Sequence, residues 1–159
     1  MMTAGGFGIN APSTTLANPV SFDLKGAEFA TRAEVDDARS GHVVHFGDIG
    51  QEQLTPEQLD ALGQVDIALT QFVNSYSQMS VGNKKGFNLM AQVKPRLIIP
   101  THGGSDMDAI QYAMELWDVV AADASEVSVG RSDLSEGTEV LVMGEMAPAM
   151  KKIYDLPAW

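Results

Sequence analysis

The chain predicts an α/β domain whose central strands are mostly parallel and flanked by helices, with an N-terminal hairpin and a C-terminal strand pair. Three observations carry this expectation. Short apolar runs, "HVVHF" (42–46), "VDIALT" (65–70) and "RLIIP" (96–100), alternate with stretches of helical period. Strands that alternate with helices favour parallel pairing through βαβ units. The runs are nearly continuously apolar, as expected of strands covered on both faces.

Element by element, residues 1–18 are rich in Gly, Ala, Ser, Thr, Asn and Pro and read as a flexible lead-in. "PVSFDLKGAEFATR" (19–32) alternates Val20, Phe22 and Leu24, turns at Lys25-Gly26 and resumes at Phe29, which fits the hairpin. "GHVVHFGD" (41–48) is a strand ending in Gly47-Asp48. "LTPEQLDALG" (54–63) is a helix, with Thr55 as N-cap, Pro56 in the first turn, Gln58 closing a capping box and Gly63 as stop. "VDIALTQ" is a second strand. "NKKGFNLMAQV" (83–93) is a helix that places Phe87, Met90 and Val93 on one side, and "RLIIPTH" is a third strand. Ser105 then caps a helix over "DMDAIQYAMELWDVVAA" (106–122), where Ile110, Ala113, Met114 and Trp117 form a helical stripe. "EVSVG" (126–130) and "TEVLVMG" (138–144) are two further strands joined by "RSDLSEG". The organisation is a lead-in over 1–18, one α/β domain over 19–145 and a tail over 146–159, with two prolines and an exposed-looking Trp159.

A chain of 159 residues with 45% hydrophobic content can bury one respectable core. The absence of cysteine excludes a disulfide scaffold, a thiolate metal cage and a cysteine nucleophile. A net charge of −11 argues against nucleic acid or an anionic membrane as partner. No apolar run approaches the roughly 18 residues that span a bilayer, and the N-terminus lacks the basic start of a secretory signal. A cytoplasmic protein is the expectation. The nine methionines fit adaptable core packing.

Parallel sheets place ligands beyond the carboxyl ends of their strands. Three consecutive strands here end in Asp48, Gln71 and His102, a carboxylate, an amide and an imidazole expected at one sheet edge. Taken singly, His102 is also readable as a hydrogen-bonding turn residue, Asp48 as an Asx-type turn residue and Asn74 as a loop residue. Their joint arrangement makes the site, with His45, Asn74 and Thr101 as neighbouring candidates. His42 and His45 do not form a metal pair, since residues three apart on a strand point to opposite faces. His42 lies six residues from Asp48, on the order of 20 Å along an extended chain, and reads as a solvated strand-start residue. "HGGSD" (102–106) resembles a generic loop at a helix N-terminus.

"VVHFGDIGQEQLTPEQLDALGQVDIALTQ" (43–71), followed by "VKPRLIIPTHGG" (93–104), resembles the C-terminal half of metallo-β-lactamase-fold hydrolases, in the branch of the ascorbate-6-phosphate lactonase-like proteins. The resemblance implies half of an αββα sandwich. It implies that Asp48 is the carboxylate bridging two metal ions and His102 the last histidine ligand of the second. Zinc or another divalent metal would be the cofactor, and an ester, lactone or phosphoester the substrate. The family's H-x-H-x-D-H string does not occur here, and "EFATRAEVDDARSG" (28–41) supplies no further histidine. The expectation is therefore a hydrolase-related protein with an incomplete site, weak metal binding and little activity alone. The alternative is a non-catalytic binding or assembly module on the same scaffold, with a small-molecule ligand. The helices are expected to lie mainly on one side of the sheet and leave the other face apolar. A two-fold homodimer is therefore expected, with the sheet face or the N-terminal hairpin at its interface. The alternative is that residues 1–40 fold back over that face and close a monomeric core.

Overall fold

The computed structural model describes residues 14–16, 20–23, 41–101, 106–124, 126–144 and 147–159. Strands β1 (Thr14–Leu16), β2 (Val20–Asp23) and β3 (Gly41–His45) are followed by helix α1 (Pro56–Leu62) and β4 (Ile67–Gln71). Next come α2 (Lys85–Val93), β5 (Leu97–Thr101), α3 (Met107–Leu116) and β6 (Asp118–Ala121). The chain closes with β7 (Glu126–Val129), a 3-10 turn at Arg131–Asp133, β8 (Glu139–Val142) and α4 (Ala147–Tyr154). Six strands form the main sheet in the order β1-β3-β4-β5-β8-β6, and β2 pairs with β7 in a separate two-stranded ribbon. The main sheet is parallel throughout except for β1, which runs antiparallel on β3. The expected α/β architecture, with mostly parallel strands flanked by helices, is the one observed.

Local sequence explains the elements. α1 carries the capping box: the Thr55 side chain accepts from the Gln58 amide, and the Gln58 side chain accepts from the Thr55 amide. Gly63 closes it at φ 64, a left-handed conformation that glycine adopts without penalty. Pro100, which cannot donate to a ladder, sits in β5 beyond the short register with β8 at Leu97 and Ile98.

Each sheet face has its own core. On one, Val44, Ala68, Ile98 and Val140 pack with Phe72, Phe87, Met90, Ile110 and Met150, side chains from or beside the helices. Phe72 and Phe87 stack at 4.4 Å, and Tyr112 meets Phe87 edge-on. On the other, Val43, Ile67, Leu69, Leu97, Ile99 and Leu141 lie under Val127 and Val129 of β7, with Leu134 and Trp159. The sheet face expected to drive a homodimer is thus covered within the chain, and those six sheet residues are all buried.

Several expectations need correction. The α3 helix stops at Leu116, because Asp118–Ala121 joins the sheet as β6 beside β8; β-branched Val119 and Val120 suit a strand. Its N-cap is Asp106, whose carboxylate accepts from the Ala109 amide, whereas Ser105 lies outside the described residues. β7 and β8 do not pair with each other: β8 enters the main sheet between β5 and β6, and β7 pairs with β2. The first arm of the expected hairpin is β2, and the expected second arm lies outside the described residues. Within the expected lead-in, Thr14–Leu16 form edge strand β1. The tail folds as α4 and returns to the sheet, where the Ala121 amide donates to Pro157 and the Trp159 amide to Ala121. Trp159 is half-buried against the second core rather than exposed.

Candidate functional site

The carboxyl ends of β3, β4 and β5 lie side by side. After β3, Gly47 turns the chain at φ +55, and its amide donates to His45 Nδ1 at 3.0 Å. That turn exposes Asp48 and returns Ile49 to the core. β4 ends in Gln71, which is fully buried. Its Nε2 donates to the Ile49 carbonyl at 3.1 Å and to Ser77 Oγ at 2.8 Å. Asn74, also buried, donates from Nδ2 to Asp48 Oδ1 at 2.8 Å and to Gln71 Oε1. Asn74 Oδ1 accepts from the Tyr76 amide at 2.8 Å, and the loop is closed by paired backbone bonds between Asn74 and Met79. At the end of β5, Thr101 Oγ1 donates to the Thr70 carbonyl at 3.0 Å.

Asp48, Gln71 and Asn74 are therefore one hydrogen-bonded unit spanning the first two strand ends, and Thr101 occupies the third. His45 is exposed at the close of β3, one turn from this unit. His102 follows Thr101 in the chain and lies outside the described residues. His42 stands at the opposite end of β3 and is half-buried rather than solvated. Its Nδ1 lies 2.6 Å from the Gln64 carbonyl, and its amide donates to Asp66.

Three contributors escape sequence reasoning. Ser77 and the Ile49 carbonyl anchor Gln71, and no local motif marks them. Gly86, in the first turn of α2, lies so close to the end of β4 that an added Cβ would stand 2.5 Å from the Gln71 carbonyl oxygen. A glycine inside a helix is a signal of such close packing.

The family resemblance implies a metal, so the donors here decide whether one fits. Among the described residues no three His, Asp or Glu side chains converge into a set able to hold an ion. A catalytic zinc takes three protein ligands and a structural zinc four. The described residues, with Asp48 alone at this edge among the implied ligands, do not fit a metal centre by themselves. What they do make is a rigid acceptor, with Asp48 Oδ1 held by a buried amide.

No helix among the described residues is long and apolar enough to cross a membrane. A search of the curated proteins found no match. Among solved structures the chain is similar to a candidate Zn-dependent hydrolase of the metallo-β-lactamase superfamily from Thermotoga maritima. The identity is 21% and the TM-score 0.49, over 65% of this chain and 55% of that one. The chain thus spans about half the length of that protein. The family model described as a β-lactamase superfamily domain matches residues 7–102. That match takes in more than half of the chain, including β1 to β5 and every strand end of the site, and the chain belongs to the β-lactamase superfamily.

Proposed function

We propose that the chain carries the C-terminal half of a metal-dependent hydrolase of the ascorbate-6-phosphate lactonase-like branch, with part of a divalent-metal site at the carboxyl edge of its sheet. In this reading Asp48 and His102 are ligands of zinc or a similar ion, and Gln71, Asn74, Thr101 and His45 surround them. By itself the chain holds the ion weakly and hydrolyses esters, lactones or phosphoesters slowly or not at all. The observation that supports this most is Asp48, exposed beyond β3 and bonded at 2.8 Å to Asn74 beyond β4. β5, which leads into His102, is the next strand. Membership of the β-lactamase superfamily supports the reaction class.

The test is an assay of purified protein on an aryl phosphodiester and an aryl lactone, with zinc or manganese supplied. Rates near background are expected. Robust turnover that is lost in His102→Ala would show a complete site and overturn the reading.

A second reading, a non-catalytic module that binds a small polar molecule, is favoured by one observation. The Gln71 and Asn74 amides find their partners within the chain, so the site is organised without an ion. Ligand binding unaffected by a chelator, with no turnover, would distinguish it.

A further inference from the structure

We propose that Tyr76 is a ligand-contacting residue of the carboxyl-edge site, and that it receives an aromatic ring of the bound molecule. Tyr76 lies in the connection between β4 and α2 and is 90% exposed, more than any other large hydrophobic side chain among the described residues. The residues on both sides of it are tied down. Asn74 donates to Asp48 and Gln71 at the strand ends, and its Oδ1 accepts from the Tyr76 amide at 2.8 Å. Ser77 is buried, and its Oγ accepts from Gln71 Nε2 at 2.8 Å. Paired backbone bonds between Asn74 and Met79, and a bond from the Gln78 amide to the Ser75 carbonyl, close the turn. The ring is thus carried by a braced backbone at the end of β4, and none of these bonds uses the ring.

Backbone strain gathers in the same connection. Of the non-glycine residues described at positive φ, Lys94 and Asp155 directly follow α2 and α4, where a left-handed residue is an ordinary helix ending. The other two, Gln78 at φ 52 and Lys84 at φ 58, lie between β4 and α2. Such conformations persist only where the surroundings over-determine them, and they cluster at sites that clamp ligands. Asn83 holds these in place: its Nδ2 donates to the Gln78 carbonyl at 2.6 Å, and its Oδ1 accepts from the Ser80 and Lys85 amides. A loop already rigid loses little freedom on binding, and tyrosine presents a large ring with few torsions to immobilise. Its best partner is a second flat ring, because aromatic pairs gain attraction beyond the area they bury. A net charge of −11 disfavours an anionic ligand. The substrate class this selects is a neutral aryl lactone or aryl ester, its ring on Tyr76, in preference to an anionic phosphoester.

The proposal rests on the reading of the carboxyl edge as the binding site but on no metal, so the test is run with a chelator present. The chain has three tyrosines, so fluorotyrosine labelling gives one fluorine NMR signal for each, and Tyr76→Phe identifies that of Tyr76. Dihydrocoumarin, an aryl lactone, and δ-valerolactone, the same lactone ring without the arene, are titrated into the labelled protein. A saturable shift of the Tyr76 signal is expected with dihydrocoumarin, and none with δ-valerolactone. Binding is also followed through the Gln71 and Asn74 side-chain amides. By that readout Tyr76→Ala is expected to weaken dihydrocoumarin roughly two- to tenfold, the range that a pair of rings supplies, while Tyr76→Phe retains it. Because the ring is exposed, both variants are expected to unfold at the wild-type urea concentration. A Tyr76 shift that δ-valerolactone matches, equal binding in Tyr76→Ala, or no saturable shift at millimolar dihydrocoumarin would overturn the proposal. Dihydrocoumarin bound under chelator upholds it even where zinc titration finds no metal. Zinc bound without dihydrocoumarin leaves the metal reading standing and removes this one.

Discussion

Asn74 Nδ2 lies 2.8 Å from Asp48 Oδ1, although the two residues are 26 positions apart in the chain. The bond joins the exits of two adjacent parallel strands, and it couples an exposed carboxylate to a buried amide. That asymmetry sets the first prediction. Asn74→Ala strands the fully buried Gln71 Oε1 without its donor, and is expected to destabilise the chain by about 2 kcal/mol. Asp48→Ala removes an exposed partner that water can replace, and is expected to cost less than about 1 kcal/mol. Urea unfolding of the two variants measures the difference, and equal losses would show that the amide is less committed than its contacts indicate.

Gly86 and Gly47 give a prediction about backbone approach. Gly86→Ala places a Cβ 2.5 Å from the Gln71 carbonyl oxygen and 3.1 Å from Phe72 Cα, so α2 must move off the sheet. A loss of about 3 kcal/mol is expected. Gly47→Ala meets only His45 Nδ1 at 4.0 Å, and its cost is the left-handed φ, about 1–2 kcal/mol. Gly137→Ala, with nothing within 4 Å, serves as the neutral control.

Much of the architecture was legible because local signals agreed with the final environment. The capping box of α1, the stripe of α2 and the apolar runs of β3, β4 and β5 each state their own burial. The failures share a cause, since each depends on a partner distant in the chain. "DVVA" looks like the end of a helix until β8 is available beside it. "EVSV" and "EVLV" look like a pair until one is taken by β2 and the other by the main sheet. Tail residues 157–159 look idle until they meet the edge of β6. In the site, the strand ends named Asp48 and Gln71, but nothing local named Ser77 or the Ile49 carbonyl as anchors. Their role exists only once β3 and β4 lie together.

Glu139 provides a pH dependence. Burial pushes its carboxyl above the ordinary value, and Asp118, its register partner on β6, pushes it further the same way. The folded chain thus holds the Glu139 proton more tightly than the unfolded chain. The associated stability is fully present below the ordinary glutamate range and is lost as pH rises through the raised value. Glu139→Gln is therefore expected to be more stable than wild type at pH 7, by at most about 1 kcal/mol. The advantage should vanish below about pH 4. A constant difference across that range would contradict this cause.

The return of the tail predicts that removing residues 157–159 is costly. The Ala121 amide loses Pro157, the Ala121 carbonyl loses the Trp159 amide, and the edge of β6 opens. A lower Tm and a greater tendency to aggregate are expected. An unchanged Tm would show that the tail is not part of the fold.

Because both sheet faces are covered within the chain, light scattering at micromolar protein is expected to report a 17.0 kDa species. A doubled mass would point to an interface elsewhere, with exposed Met114, Leu116 and Ile153 the apolar side chains to substitute first.

In the proposed reading Asp48 and His102 are ligands of a divalent ion that the chain holds weakly. Zinc titration of the wild type, Asp48→Asn and His102→Ala, together with zinc content after dialysis against a chelator, tests it most directly. Weak binding is expected, abolished by either substitution and stripped completely by the chelator. Zinc retained through dialysis, binding that survives both substitutions, or no binding at millimolar zinc would contradict it.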